Sequence, residues 1–243
     1  MKSHKKGAPD VKETAPQPKR IMLVDDHPLV SQGIATLIRA KSDMEVFAEV
    51  GCADDALVAL AKDVPDLMLL DISLPGTNGI ELLKDLRIRY PGLRVLVLSM
   101  HEESVYAERA LRAGAHGYIM KHEPGLKVIE AIRCVLGGEL YVSPAIASRM
   151  LKLFVSNKPG GDTRTDMEKL SDRELQVYNH IGSGLATRQI AEQLNLSIKT
   201  IQTYREHVKR KLGLRNATEL IHHATHWVET ETGQAQPELE ALP

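Results

Sequence analysis

The sequence predicts an α/β domain built on a five-stranded, doubly wound parallel sheet, followed by an all-α helix-turn-helix domain. Apolar runs alternate five times with helix-type patterns over residues 19–137, which is typical of a parallel sheet covered by helices on both faces. From Leu170 onward the periodicity is helical only. A chain of 243 residues also suits two small domains better than one.

The composition excludes a membrane-spanning chain and a strongly basic one. The formal net charge is −1, so any surface that attracts nucleic acid must be local. No apolar run approaches the ~20 residues of a membrane span, and no signal peptide is recognisable, so we expect a cytoplasmic protein without membrane contact. Cys52 and Cys134 have no metal-type spacing, and we expect two small, buried, reduced thiols.

The elements of the first domain follow a polar lead, residues 1–18, which we predict to be disordered. Strands are short apolar runs closed by turn residues, and helices show apolar positions three and four apart. The predicted strands are 21–26, 45–50, 66–71, 95–99 and 117–121. The first predicted helix begins at Pro28. The other four cover 53–63, 79–89, 104–113 and 124–137.

Polar side chains end four of the five predicted strands. These residues are Asp25 and Asp26, Asp71, Ser99 and Lys121. The carboxyl ends of parallel strands meet at one edge of the sheet, which is where ligands bind in such folds. Clustered carboxylates need a cation, and oxygen ligands suit Mg²⁺. Lys121 and Ser99 supply a positive charge and a hydrogen-bond donor for an anion bound beside the metal. Together these residues predict phosphoryl transfer onto Asp71.

The motif order over roughly residues 19–137 resembles the flavodoxin-like receiver domain of two-component response regulators. The resemblance implies that Asp71 is the phosphoacceptor. It also implies that Asp25 and Asp26 position Mg²⁺ together with Asp71, with the backbone carbonyl of Ser73 as a further ligand.

The same resemblance gives roles to residues on the last two strands. Ser99 and Lys121 would hold the phosphoryl oxygens, with Ser99 moving towards the phosphate. Tyr118 matches the aromatic switch position that turns inward in the active state. Met100 is larger than the small residue many receivers have there, so we expect it to slow hydrolysis of the acyl phosphate.

A connection, residues 138–166, joins the two predicted domains. Ser143 as N-cap and Pro144 at the first position predict a helix over 143–155. Residues 156–169 show no periodicity and are rich in turn formers, which predicts a flexible linker.

The second predicted domain covers residues 167–229. Ser171 and Glu174 form a capping box at its first long helix. A short amphipathic helix, 186–194, is followed by a tight turn and a longer helix that Ser197 caps and Gly213 ends. This arrangement is typical of a helix-turn-helix, whose second helix enters the major groove of DNA.

The longer helix carries the candidate DNA contacts on its outer face. Its apolar positions, Ile201, Tyr204, Val208 and Leu212, should face inward. Between residues 199 and 215 there are six basic residues and one acid, which fits phosphate contacts. The segment 170–220 resembles the LuxR-type DNA-binding domain of NarL/FixJ regulators. The predicted contact residues are Lys199, Thr200, Gln202, Thr203, Arg205, Glu206, Lys209 and Arg210.

The resemblance places the base-facing positions at Gln202, Thr203 and Glu206. Glu206 either accepts a hydrogen bond from a cytosine amino group or pairs with Arg210 and touches no base. The following helix, 217–228, would form the dimer contact on DNA. Its packing residues would be Leu220, Ile221, Ala224 and Trp227. We predict that the tail, 230–243, is disordered.

The sequence therefore indicates a phosphorylation-activated, DNA-binding transcriptional regulator rather than an enzyme. A sensor histidine kinase would phosphorylate Asp71 with Mg²⁺, and the released C-terminal domain would form a homodimer on promoter DNA. One alternative is a regulator of the same fold that works without phosphorylation. The other is an Asp-nucleophile phosphohydrolase, although Ser73 stands where such enzymes carry a second Asp and no substrate cap is evident.

Overall fold

The structure, a computed structural model, describes residues 17–155 and 166–231. Nearly all of the predicted lead and tail, and residues 156–165 of the predicted linker, lie outside the described residues. The described chain forms an α/β domain followed by a helical domain, which confirms the predicted fold class.

The first domain is a five-stranded parallel sheet with strand order β2-β1-β3-β4-β5. Its strands are β1 (Lys19–Val24), β2 (Met44–Val50), β3 (Leu67–Asp71), β4 (Arg94–Ser99) and β5 (Gly117–Met120). Its helices are α1 (Pro28–Arg39), α2 (Ala53–Lys62), α3 (Gly79–Arg89), α4 (Glu103–Ala113) and α5 (Gly125–Leu136).

Alternate residues of the strands point into two apolar layers. Ile21 and Leu23 pack with α1 and α5 on one face of the sheet. Met22 and Val24 belong to the layer that contains α2, α3 and α4 on the other face. The inner strands, buried on both faces, read as unbroken apolar runs for this reason, and a polar residue is tolerated only where each strand ends.

Local signals explain where several helices begin. Pro28 stands at the first position of α1, and the Asn78 side chain accepts hydrogen bonds from the first amides of α3. Pro124, predicted within the first turn of α5, is instead its N-cap residue. Cys52 and Cys134 are free thiols and only partly buried, which corrects the expectation of buried ones.

The second domain contains α7 (Asp172–Gly182), α8 (Thr187–Gln193), α9 (Ile198–Leu212) and α10 (Ala217–Glu231). The predicted capping box at α7 and the Ser197 cap of α9 are both present. Helix α6 (Pro144–Val155) precedes this domain, and a 3-10 turn, Asp166–Lys169, leads into it. Because Met167 is buried there, the prediction of a flexible linker was wrong for residues 166–169.

No helix in the described part of the chain combines the length and the apolarity needed to cross a membrane.

Candidate functional site

The predicted polar strand ends converge at the carboxyl edge of the sheet. The Lys121 ammonium lies 2.8 Å from Asp25 Oδ1 and 2.8 Å from Asp71 Oδ2. Asp26, next along the chain, completes a group that we call the acidic pocket: Asp25, Asp26, Asp71 and Lys121. Asp25 follows β1, Asp71 ends β3 and Lys121 follows β5, so the parallel sheet alone brings these groups together.

The acidic pocket is largely withdrawn from water. The side chains of Asp71 and Lys121 are each 1% exposed. Burial raises the pKa of Asp71 above its usual value, although the Lys121 ammonium acts in the opposite direction. Oδ2 of the buried Asp25 has no hydrogen-bond partner among the described residues. Lys121 therefore contacts two of the three carboxylates, and one oxygen of Asp25 is left without a donor among the described residues.

His27 is a member of this pocket that the sequence reasoning missed. Its Nδ1 atom lies 3.0 Å from Asp25 Oδ1, 2.9 Å from Asp26 Oδ1 and 3.7 Å from Asp71 Oδ2. The available signal was its place directly after two acids that end a strand.

The predicted switch residues surround the pocket on β4 and β5. Ser99 is fully buried, and its hydroxyl accepts a hydrogen bond from the His101 amide at 3.0 Å. The Tyr118 hydroxyl donates to the His101 carbonyl at 2.7 Å, with the ring buried. Tyr118 thus already lies inward in this structure. The Ser73 amide donates to Asp71 Oδ1 at 2.9 Å.

The outer face of α9 presents the predicted base-facing side chains to solvent. Gln202, Thr203 and Glu206 are exposed, and the Thr203 hydroxyl donates to the backbone carbonyl of Lys199. Glu206 pairs with Lys209 at 2.8 Å, so Lys209 rather than Arg210 is its ionic partner. Of the other predicted contacts, Lys199 and Arg210 are exposed, whereas Thr200, Arg205 and Lys209 are partly buried.

The four residues predicted for the dimer contact on α10 do not share one environment. Leu220 and Ala224 are fully buried inside the domain, where a Cβ on Gly182 of α7 would lie 2.3 Å from the Ala224 carbonyl oxygen. Ile221 is exposed and Trp227 partly buried. Leu220 and Ala224 therefore belong to the core of the domain, and Ile221 is the most exposed of the four.

The two domains contact each other through a network that the sequence reasoning did not predict. Arg109 of α4 donates three hydrogen bonds to the second domain, to Asp172 at 2.9 Å and to the carbonyls of Met167 and Leu170 at 2.7 and 2.8 Å. Lys84 of α3 pairs with Asp172 at 2.8 Å. Burial acts to raise the pKa of Asp172, but hydrogen bonds from Lys84 and Arg109 outweigh it, so the net pKa lies below its usual value.

The loop that follows the phosphoacceptor strand, residues 72–78, makes the second set of interdomain contacts. The Gly76 amide donates to the Gln193 carbonyl at 3.1 Å. Gly76 has a φ of +72°, and a Cβ at this position would lie 2.6 Å from the Asn195 side chain. The Asn78 amide donates to the Asp172 carbonyl at 3.2 Å. This loop therefore joins the acidic pocket directly to the turn between α8 and α9.

A cavity of about 400 Å³ lies between the two domains beside these contacts. His101 of the first domain and His180 of α7 are among its lining residues. Burial, together with the nearby His180 and Lys121, lowers the pKa of His101 to about 4. Burial also lowers the pKa of His180. At neutral pH the His101 imidazole is consequently uncharged.

Comparison with protein families gives two matches along the chain. Residues 21–133 match the response regulator receiver domain, and residues 168–224 match the bacterial regulatory proteins of the luxR family.

Individual relatives cover most of the chain. The oxygen regulatory protein NreC of Staphylococcus aureus is 33% identical over 208 residues, which span 84% of this chain and 96% of that protein. A structure of RcsB from Salmonella enterica serovar Typhimurium, bound to promoter rprA with phosphomimetic BeF₃⁻, is 25% identical. It has a TM-score of 0.61 and covers 86% of this chain and 98% of that one. A LuxR-family two-component response regulator from Aurantimonas sp. SI85-9A1 is 36% identical, with a TM-score of 0.52, over 57% of this chain and 99% of that one.

Proposed function

The chain belongs to the NarL/FixJ class of two-component response regulators, and we propose that phosphorylation of Asp71 switches its binding to promoter DNA. The observation that carries the proposal is the position of the acidic pocket. The loop that leaves Asp71 is also the loop that contacts the helix-turn-helix. In this proposal residues 19–137 act as the receiver, 167–229 bind DNA, and 138–166 connect them.

Asp71 is the proposed nucleophile, and a phosphohistidine of a sensor kinase is the proposed donor. A carboxylate oxygen of Asp71 attacks phosphorus, an O–P bond forms as the N–P bond breaks, and the bonding electrons return to the kinase imidazole, which takes up a proton from solvent. In this structure the Lys121 ammonium contacts both Asp25 and Asp71, so it is close enough to contact the negatively charged phosphoryl group on Asp71. Ser99 ends the neighbouring strand and would donate its hydroxyl to a phosphoryl oxygen.

The pocket fits Mg²⁺, because three carboxylates and an unpartnered Asp25 oxygen suit a hard cation with oxygen ligands. Asp25, Asp26, Asp71 and the carbonyl of Ser73 would hold it. When bound, Mg²⁺ neutralises charge on the transferring phosphoryl group.

The closed arrangement of the domains is the proposed form that does not bind DNA, although Tyr118 already lies inward, as the resemblance implies for an active receiver. In helix-turn-helix complexes the N-terminal part of the second helix reaches the bases while the DNA backbone passes close by. In this chain the receiver loop lies against Gln193 and Asn195, immediately before that end of α9. A DNA duplex and the receiver would therefore compete for the same space, so DNA binding requires the domains to separate.

Dimerisation would then provide the affinity that one domain lacks. A single helix-turn-helix module buries only ~600–1,000 Å² on DNA. Such proteins usually bind as dimers to two half-sites, which increases the affinity. The proposed partner surface on α10 is the exposed side around Ile221. A cytoplasmic location follows from a kinase donor and a DNA target.

The test is incubation of the full chain with Mg²⁺ and acetyl phosphate, followed by intact mass and size-exclusion chromatography. We expect one phosphoryl adduct and a shift towards dimer in the wild type, and neither in Asp71→Asn. Asp66→Asn is the matched control, because Asp66 lies just before the opposite end of β3 and pairs with Lys19. If acetyl phosphate gives no adduct, the cognate kinase replaces it. An adduct that persists in Asp71→Asn, or none from either donor, would overturn the proposal.

A further inference from the structure

We propose that His101 and Tyr106 are positioning residues that connect the phosphorylation site to the DNA-binding domain. They hold Asn179 of α7 while the domains are closed, and they loosen that hold when Ser99 moves towards a bound phosphoryl group. The inference rests on the proposed function, since it concerns how phosphorylation of the same site is transmitted. It adds a connection that does not use the loop of residues 72–78.

The first half of this connection joins two switch residues to the backbone of His101. The His101 amide donates to the Ser99 hydroxyl at 3.0 Å, and the Tyr118 hydroxyl donates to the His101 carbonyl at 2.7 Å. The side chains of Ser99 and Tyr118 are both buried. A movement of Ser99 towards a phosphoryl group therefore removes one of these two contacts and lets His101 shift.

The second half joins the His101 side chain to the second domain. Its imidazole stacks on the Tyr106 ring of α4, with 4.6 Å between the ring centroids and 21° between the ring planes. The Tyr106 hydroxyl accepts a hydrogen bond from the Asn179 side-chain amide at 2.5 Å. Tyr106 and Asn179 are only 7% and 8% exposed. An unbroken series of contacts thus runs from Ser99 in the receiver to Asn179 in α7.

A series of contacts transmits a signal only if one of its bonds differs between the two end states. The bond between Tyr106 and Asn179 is suited to differ, because hydrogen bonds weaken steeply with distance and angle. The Asn179 Oδ1 atom has no hydrogen-bond partner in the described part of the chain. No bond of that oxygen would hold the amide in place when Tyr106 moves. The closed form would therefore lose this contact on phosphorylation.

The experiment compares the DNA affinity of the full chain with Mg²⁺, in the absence and presence of beryllofluoride, a stable analogue of the phosphoryl group. The probe is a mixed-sequence DNA duplex at low salt, because non-specific binding needs no particular promoter. The measured quantity is the switching ratio, defined as the dissociation constant without beryllofluoride divided by the constant with it.

The variants cut the connection at its last bond, from either side. Tyr106→Phe keeps the stacked ring and loses the hydroxyl, and Asn179→Leu removes the amide from the other domain. Lys84→Ala is the matched control, because Lys84 pairs with Asp172 across the same interface at 2.8 Å and takes no part in the series of contacts.

One hydrogen bond between neutral groups changes an equilibrium by about two- to tenfold. Without beryllofluoride, Tyr106→Phe and Asn179→Leu should each bind DNA more tightly by about that factor. Their switching ratios should fall by the same factor, and the double variant should show no further fall. Lys84→Ala should bind DNA more tightly in both conditions and keep the wild-type ratio.

A wild-type switching ratio in a folded Tyr106→Phe would overturn the inference, because the hydroxyl would then be an ordinary interface contact. An equal fall in Lys84→Ala would overturn it as well, since the loss would not be specific to this connection. Failure of the proposed function is distinguishable, because the affinity of the wild type itself would then not respond to beryllofluoride.

Discussion

The substitution Arg109→Ala should open the closed form without any phosphorylation. Arg109 makes three hydrogen bonds across the domain interface and pairs with Asp172, and both side chains are largely buried, 16% and 17% exposed. Arg112→Ala is the matched control. It lies on the same helix, its side chain is 74% exposed, and that side chain pairs with Glu108 of the helix.

The magnitude follows from the contacts that are lost. Hydrogen bonds to charged groups contribute about 1.5–3 kcal/mol each, but they do not add fully here, because Lys84 still pairs with Asp172 after the substitution. A net loss of about 2–4 kcal/mol is expected, which shifts the closed-to-open ratio by roughly 30-fold to several hundredfold.

The assay measures DNA affinity and shape in the unphosphorylated protein. If only the open form binds DNA, the apparent dissociation constant falls as the open fraction rises, so Arg109→Ala should bind more tightly by up to the factor above. Small-angle scattering should show a larger radius of gyration, and Arg112→Ala should match the wild type in both measurements.

A double-mutant cycle with Asp172→Asn identifies the pair as the cause. We expect the two substitutions together to do less than the sum of each alone, by at least about 1 kcal/mol. The reasoning is refuted if Arg109→Ala keeps the wild-type radius of gyration and DNA affinity, or if the two effects add.

Three further outcomes are expected. Gly182→Ala should lower the melting temperature of the second domain by several degrees, because the new Cβ would lie 2.3 Å from the Ala224 carbonyl oxygen. Calorimetry measures the melting temperature, and an unchanged transition would contradict this reasoning. Lowering the pH should destabilise the closed form. Burial, together with the nearby His180 and Lys121, lowers the pKa of His101 from the usual 6.5 to about 4, and opening the domains would remove His180 and part of the burial. The closed form is therefore most stable above pH 6.5 and loses stability as the pH falls from 6.5 towards 4. Scattering at pH 8 and 5.5 tests this, and His101→Gln should reduce the dependence without removing it, because burial also lowers the pKa of His180 in the same cavity. Met100→Ala should shorten the phosphoryl half-life, and equal half-lives would dismiss a role for Met100.

The acidic pocket was predictable because its geometry is set by local pattern and topology. Each strand reads as an apolar run with a polar end, and a parallel sheet places those ends side by side, so Asp71 and Lys121 had to meet. The caps of α7 and α9 were predictable in the same way, since Ser171 and Ser197 act on amides within the next three residues.

The interdomain contacts were not predictable, because nothing local distinguishes them. Arg109 and Asp172 are 63 positions apart, and each reads as an ordinary charged residue on a helix surface. The 3-10 turn at 166–169 depends on the burial of Met167 and on the Arg109 hydrogen bond to its carbonyl. The His27 side chain is an intermediate case: two of the carboxylates beside it, Asp25 and Asp26, are its neighbours in sequence, whereas Asp71 comes from another strand.

The same interface sets what phosphorylation must achieve. A ligand shifts a two-state equilibrium only by the difference in its affinity for the two states. The contacts of Arg109 and Lys84 do not involve the acidic pocket, so the phosphoryl group cannot weaken them directly. In the proposed mechanism it would act instead on residues 72–78, where a movement of Gly76 away from Gln193 would break their 3.1 Å hydrogen bond. The ionic contacts would remain, and the free energy that opens them must come from dimer and DNA contacts made only by the open form. Full activation therefore needs phosphorylation and DNA together, whereas Arg109→Ala should need DNA alone.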